Sequence, residues 1–247
     1  IALDEYGMIP EELFKSNADI ACVTPSHQFP TGVIMPINRR LQFLNWANEK
    51  AGRYIIEDDY GSEFKYSGRP IPCMQGIDGG EKVIYIGAFS KSLTPAVRIS
   101  YMVLPEPLIN IYKEKLSFYI CPVPVMDQKV LCQFINEGHF ERHLNRMRNI
   151  YKGKREALVT AIRSLLPFAQ IFGANAGLHL ILKVNNGMSE EELITSARKN
   201  GIRVYGISQY YFDNAPANRQ PLLLLGFAAL KLSEITEAVG LLKEAWG

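Results

Sequence analysis

The strongest constraint on this chain is a rhythm. Short apolar runs, each ending in polar residues, alternate with longer segments of helical period. Residues 20–24, 54–57, 83–89 and 99–104 read as strands, and 38–51 reads as a helix with Leu41, Leu44, Trp46 and Ala47 on one side. Strands separated by helices predict an α/β fold with a mostly parallel sheet. Helical patterns then dominate at 106–117, 125–137 and 139–166. Beyond Pro167 the order changes: strands are expected at 178–184, 203–205 and 222–227, with helices at 189–200 and 233–246. Ser189 with Glu192 fits a capping box, and Gly201 stands where a helix terminator belongs. The expected organisation is a partial large domain over 1–137, then a long linking helix and a small α+β domain over 138–247.

With 47% apolar and 21% charged residues, the 247-residue chain has globular composition and ample core material. A net charge of +2 gives no electrostatic case for nucleic acid or anionic membrane in this segment. The longest apolar run, 221–229, is too short to span a bilayer. Cys22, Cys73, Cys121 and Cys132 form no CxxC pair, and free, mostly buried thiols of a cytoplasmic protein are expected. The chain opens on Ile1 and runs at once into a strand-like segment, as a cut through a domain would.

In open α/β sheets ligands bind beyond the carboxyl ends of the strands. Three polar clusters occupy such places: PSHQFPTG (25–32), EDDY (57–60) and SKSLTPAVR (90–98). A lysine just past an apolar strand, as Lys91 is, can be shielded from water and made fit for Schiff-base chemistry. Pyridoxal 5'-phosphate further needs an acid for its ring nitrogen, a donor for its phenolic oxygen and cations for its phosphate. Asp58, Tyr60 and Arg98 supply those types; Asp58 and Tyr60 share a side if strand geometry persists, and Arg98 returns seven residues after Lys91. Two aspartates after a strand also fit the magnesium site of a nucleotide hydrolase, although no GxxxxGK[ST] loop accompanies them.

The three clusters, in this order, resemble those of fold-type I pyridoxal-phosphate proteins, the aminotransferase superfamily. The wording TPSHQFPTG, RYIIEDDYGSEF and GAFSKSLTPAVRISYMVLP, with ERHLNRMRNIYKGKREAL and GANAGLHL later, is similar to the MocR/GabR regulators of the GntR superfamily. These join an amino-terminal winged helix to an aminotransferase-like domain. The resemblance implies a PLP-dependent transferase-like fold. It makes Lys91 the internal aldimine lysine, Asp58 the partner of the pyridine nitrogen and Tyr60 a donor to the phenolic oxygen. Ser90 and Arg98 would contact the phosphate, and His27 would line the pocket. The winged helix, the phosphate-cradling glycine turn and the ring-stacking aromatic would lie upstream of Ile1.

Three departures bear on activity. Phe29 stands before the PTG where many aminotransferases have an asparagine, and LLLLGFAAL lacks the arginine that usually holds a substrate α-carboxylate. Gln209 aligns with the arginine that binds the effector's carboxylate in the GABA-responsive regulator. Arg203 or Arg219 would replace it only if the loop folds inward, and Tyr210, Tyr211 and Phe212 are candidates to shape an effector pocket or a core. His139 and His143 have zinc-compatible spacing but no third ligand, so no metal is expected, and His143 is assigned to the start of its helix. Arg142, Arg146, Arg148, Lys152, Lys154 and Arg155 form a basic helical surface, read as solvated or as a docking face for DNA or the winged helix.

The expectation is an effector-sensing, dimerising domain of a bacterial regulator. It would respond to an amino acid or amine through an external aldimine at Lys91 and touch DNA only through its winged helix. The alternative is a working aminotransferase.

Overall fold

Two compact units emerge from the alternation of apolar runs in this computed structural model, which describes residues 1–211 and 220–247. The first comprises residues 1–28, 33–63 and 69–147; the second comprises 29–32, 64–68 and 148–247.

The first unit is built on a four-stranded sheet in the order β3 (Ile20–Val23), β4 (Tyr54–Asp59), β5 (Val83–Ala88), β6 (Ser100–Val103). β3, β4 and β5 are parallel, and β6 runs antiparallel to β5. Before it lie the small ladder of β1 (Leu3–Asp4) and β2 (Gly7–Met8) and the helix α1 (Pro10–Lys15). Helix α2 (Ile37–Asn48) covers one sheet face with Phe43, Leu44, Trp46 and Ala47, which join Val23, Ile55 and Val83 in a single core. Leu41, expected on that apolar side, is instead 42% exposed, because Phe43 takes the inward position. The short α3 (Met74–Asp78) precedes β5, and α4 (Phe89–Ser92) follows it directly. Helices α5 (Glu106–Lys115) and α6 (Val125–Asn136) complete this part.

Gly87 has a steric reason. A Cβ there would fall within the ring of Tyr101, its partner on β6. Glycine lets the Tyr101 ring lie against the strand without shifting.

Helix α7 (His139–Leu165) starts in the first unit and ends in the second. There an antiparallel sheet has the order β7 (Ala169–Phe172), β8 (His179–Val184), β10 (Leu222–Gly226), β9 (Tyr205–Gly206). Helices α8 (Glu190–Lys199) and α9 (Leu232–Trp246) accompany it. Leu180, Leu182, Leu223, Leu193, Ile235 and Val239 are central to its core. The capping box forms as expected: Ser189 accepts from the Glu192 amide, and Glu192 reaches back to the Ser189 amide. Gly201 follows α8 with φ 78°. Strand β7 had no clear sequence signal, since AQIF is short and lacks strong alternation.

The thiols depart from expectation. All four cysteines are free, but Cys22, Cys121 and Cys132 are exposed rather than buried. The basic surface of α7 is also partly internal to the second unit: Lys154 Nζ donates to Ala228 O at 2.6 Å and Arg155 Nε to Ala174 O at 2.9 Å. Among the described residues no helix is long and apolar enough to cross a membrane.

Trp246 closes α9 with its ring buried and its Nε1 donating to Leu193 O at 3.0 Å. Trp246→Ala therefore removes a large core side chain and an amphipathic anchor at once. It is expected to cost about 3–5 kcal/mol of stability, read as a lower midpoint in urea unfolding; an unchanged midpoint would refute the assigned packing.

Candidate functional site

Strand β4 alternates between two faces. Ile55, Glu57 and Asp59 point to the covered face and are buried, whereas Tyr54, Ile56 and Asp58 point the other way and are half-buried. The covered carboxylates are fully engaged. Glu57 accepts from the amides of Met74 and Gln75, both at 2.9 Å. Its cation is Arg40, 1% exposed, with Nη1 at 3.8 Å. Arg40 also donates to the carbonyls of Met35 (3.1 Å), Pro72 (2.9 Å) and Pro25 (3.0 Å). Burial pushes Glu57 up and Arg40 down, each opposed by the other's charge. Asp59 accepts from Tyr85 Oη (2.8 Å) and from the Ser62 amide (3.0 Å).

Asp58 is different. It makes no hydrogen bond or ion pair among the described residues, and burial, then the neighbouring Asp59 charge, hold it above the usual aspartate range. It shares its face with Ile86, opposite it on β5, and with Ile56, Ile84 and Cys22. A half-buried carboxyl above an apolar strip, without a cation, is suited to receive one.

Tyr60 follows immediately. Its hydroxyl donates to His27 O at 2.5 Å and lies 2.9 Å from His27 Nδ1. With its one proton committed to the carbonyl, the phenol oxygen accepts from Nδ1–H, which assigns the His27 tautomer. Burial first, then Asp58 and Asp59, push the Tyr60 pKa up, so the phenol stays a neutral donor. The expected pair Asp58 and Tyr60 is thus present, and His27 is buried beside it. In this structure, however, Tyr60's proton points into the 25–32 loop.

Ser90 and Lys91 lie in the four-residue helix α4 at the carboxyl end of β5. Lys91 is exposed, not shielded as expected, because it occupies the outward last turn of that helix and nothing in the first unit covers it. Arg98, at φ 48°, ends the 3₁₀ turn Pro95–Val97, two residues before Ser100 pairs with Ala88. A left-handed arginine costs on the order of 1 kcal/mol and marks a position held by its surroundings. The first unit therefore gathers His27, Asp58, Tyr60, Ser90, Lys91 and Arg98 at the carboxyl ends of β3–β5. Arg40, which anchors the loops around it, is absent from the sequence-based set, and Glu57 falls in the EDDY cluster without a role assigned to it there.

The remaining candidates sit in the second unit. The Gln209 Nε2 donates to Gly206 O at 2.9 Å, and the Arg203 guanidinium lies 5.0 Å from the Tyr205 ring centre. Tyr210 and Phe29 meet edge to face at 4.9 Å, and Phe29 meets His179 at 5.9 Å. Phe212 and Arg219 lie outside the described residues.

The match to known proteins covers nearly the whole chain. The model of the family "Aminotransferase class I and II" matches residues 13–242. The HTH-type transcriptional regulator YdeL of Bacillus subtilis (strain 168) is 42% identical over 247 residues, 100% of this chain and 52% of its own length. The probable rhizopine catabolism regulatory protein MocR of Rhizobium meliloti is 32% identical over 100% of this chain and 49% of its own length. The chain thus spans about half the length of these curated relatives. The crystal structure of Pyrococcus horikoshii kynurenine aminotransferase in complex with PMP superposes with a TM-score of 0.85 at 27% identity, covering 99% of this chain and 62% of that one.

Two predictions follow from the geometry. Arg40→Leu strands Glu57 and three carbonyls in the interior and is expected to cost about 3–5 kcal/mol, measured by urea unfolding; a loss below about 1 kcal/mol would show that the buried network is dispensable. Asp58 acts in the opposite sense. An acid whose folded pKa is raised favours folding at low pH, and that contribution is lost as pH rises above the ordinary value of 3.8 through the folded one. Asp58→Asn is therefore expected to raise the neutral-pH melting temperature of the cofactor-free protein and to flatten its decline with pH. Melts across a pH series decide, and a wild-type-like profile would place Asp58 in open water.

Proposed function

The chain belongs to the aminotransferase class I and II family, and from that premise we propose that it forms the effector-sensing part of a MocR/GabR-like transcription regulator. The observation that carries this reading is the Asp58 carboxyl, without a partner among the described residues, on its apolar strip, beside Tyr60 and next to the strand that delivers Ser90 and Lys91.

Those residues fit pyridoxal 5'-phosphate. Asp58 lacks a cation that a protonated pyridine nitrogen would provide, and that charge would bring its raised pKa back down. Tyr60 stays protonated, and a turn of its hydroxyl from His27 O would aim its hydrogen at a phenolic oxygen. Ser90 and Arg98 supply a hydroxyl and a guanidinium fork for a phosphate. Lys91 Nζ has no hydrogen-bond or ion-pair partner among the described residues. When bound, the cofactor supplies an aldehyde for an amine to condense with and an electron-withdrawing ring.

Sensing then requires only that an amino compound exchange with the Lys91 amine and that the two states differ in free energy. Moving a population from 1:99 to 99:1 takes a difference of about 5.5 kcal/mol. With the cofactor bound, Asp58 would hold the proton of the ring nitrogen, and Lys91 would be the group that gives way to the amino compound. The effector is an amino acid or amine. Gln209, turned onto Gly206 O, offers no charge for a carboxylate, and Tyr210 beside Phe29 presents an aromatic surface. The assembly is a homodimer, and DNA is contacted by a winged helix in the rest of the protein. Similarity along the whole of this chain to about half the length of proteins named as HTH-type transcriptional regulators supports this reading.

A second reading, an aminotransferase, is favoured by the TM-score of 0.85 to a kynurenine aminotransferase. Against it stand Phe29 before the PTG turn and a β10 with no arginine in Leu222–Gly226.

The cofactor assignment is tested by absorption. Lys91→Ala is expected to abolish the visible Schiff-base band that the wild type shows with pyridoxal 5'-phosphate. Asp58→Ala, losing a charge-assisted bond of about 1.5–3 kcal/mol, should weaken cofactor binding about ten- to a hundredfold. A wild-type spectrum in Lys91→Ala would contradict the proposal.

A further inference from the structure

Helix α4 is too short to satisfy its own last carbonyls, because four residues close a single turn. One of those carbonyls belongs to Ser92, which follows Lys91 and is 1% exposed. It is met from outside the turn: His143 Nε2, on α7, lies 3.0 Å from Ser92 O. A carbonyl only accepts, so Nε2 carries the proton. The other ring nitrogen, Nδ1, faces Arg146 Nη2 at 3.5 Å, a group that only donates. The two neighbours therefore specify one neutral tautomer. One helical turn before His143, Phe140 meets Phe89 edge to face with centroids 5.7 Å apart. Phe89 in turn receives the amide of Leu93 at 2.8 Å and, more weakly, the Ser92 hydroxyl at 3.4 Å. The turn bearing Lys91 is thus gripped at both ends by successive turns of α7.

We propose that His143 is a positioning residue for Lys91: it caps the Ser92 carbonyl and so fixes the turn from which the lysine projects. The histidine touches neither cofactor nor effector and acts through the backbone next to Lys91. Its second consequence concerns communication. Helix α7 is continuous from His139 to Leu165 and passes from the first unit into the second at residues 147–148. A change at Lys91 that displaces Ser92 is therefore felt first by the helix that both units share. This rests on the function proposed above for Lys91, but the capping contact is testable without it.

The test compares the wild type with His143→Leu, which removes the donor, and His143→Gln, whose side-chain amide can donate at similar reach. Amide hydrogen exchange is followed in the cofactor-free protein. In His143→Leu, exchange in the segment 90–96 is expected to rise on the order of tenfold, with α6 and the rest of α7 unchanged; His143→Gln restores slow exchange. With pyridoxal 5'-phosphate added, His143→Leu should also weaken retention about tenfold and shift the absorption band, again rescued by glutamine. Unchanged exchange in 90–96 overturns the proposal whatever the cofactor does, and so does a rise spread evenly over α6 and α7, the signature of general loosening. A wild type that takes up no cofactor would sink the functional reading, while the exchange comparison still decides the role of His143.

Discussion

The buried pair of Arg40 and Glu57 is the constraint on which the first unit depends. Each ion taken from water costs several kcal/mol, and at 3.8 Å their mutual attraction does not offset that alone. The main chain supplies the rest: two amides for the carboxylate and three carbonyls for the guanidinium. Those backbone groups come from two separate segments, 25–36 and 72–75, so Arg40, together with the Glu57 side chain, ties both of them to the end of β4. The pair also sets direction. With Glu57 and Asp59 drawn to the covered face, the pleat leaves Asp58 no choice but the other one.

That division separates stability from function along one strand. Glu57 and Asp59 have partners for their charges and hold the structure. Asp58 has none among the described residues and is held above its ordinary range, a cost that a cationic ligand would relieve. Tyr60 stands between the two roles, since its proton now serves the His27 carbonyl and would have to turn to serve a ligand. Lys91 presents its amine from a one-turn helix whose carbonyl end is closed by His143. On the sensing role proposed above, Lys91 would be the amine that an amino compound displaces, and the turn held by His143 would be the backbone next to it.

Much of this was legible in the sequence because strand periodicity and polar punctuation are local signals. The strands expected at 54–57 and 83–89 form at Tyr54–Asp59 and Val83–Ala88, within two residues at each end, and the three polar clusters sit at strand ends where chemistry is expected. The Ser189 capping box was equally readable, since its four residues determine it. Arg40 was not, because INRRL presents two adjacent arginines and only tertiary packing decides which is buried. Arg39 instead pairs with Asp4 near the surface. The uses of Lys154 and Arg155 as caps on distant carbonyls were hidden for the same reason, as was the bond from His143 to Ser92, fifty-one residues apart. The exposure of Lys91 ran against expectation because shielding depends on what covers a strand end, which the strand's own residues do not encode. The similarity to aminotransferases and to regulators covers the same stretch of chain, so it supports pyridoxal 5'-phosphate as the cofactor without separating a sensor from an enzyme.

Counting turnovers separates the two roles most directly. The complete protein, loaded with pyridoxal 5'-phosphate, is given an amino donor and a keto acid while keto product and DNA affinity are followed together. A sensor releases no more than about one product per site, accompanied by a change in DNA affinity with amino compound that Lys91→Ala abolishes. Sustained turnover with DNA affinity unmoved would make the protein an aminotransferase and rule out the sensing role.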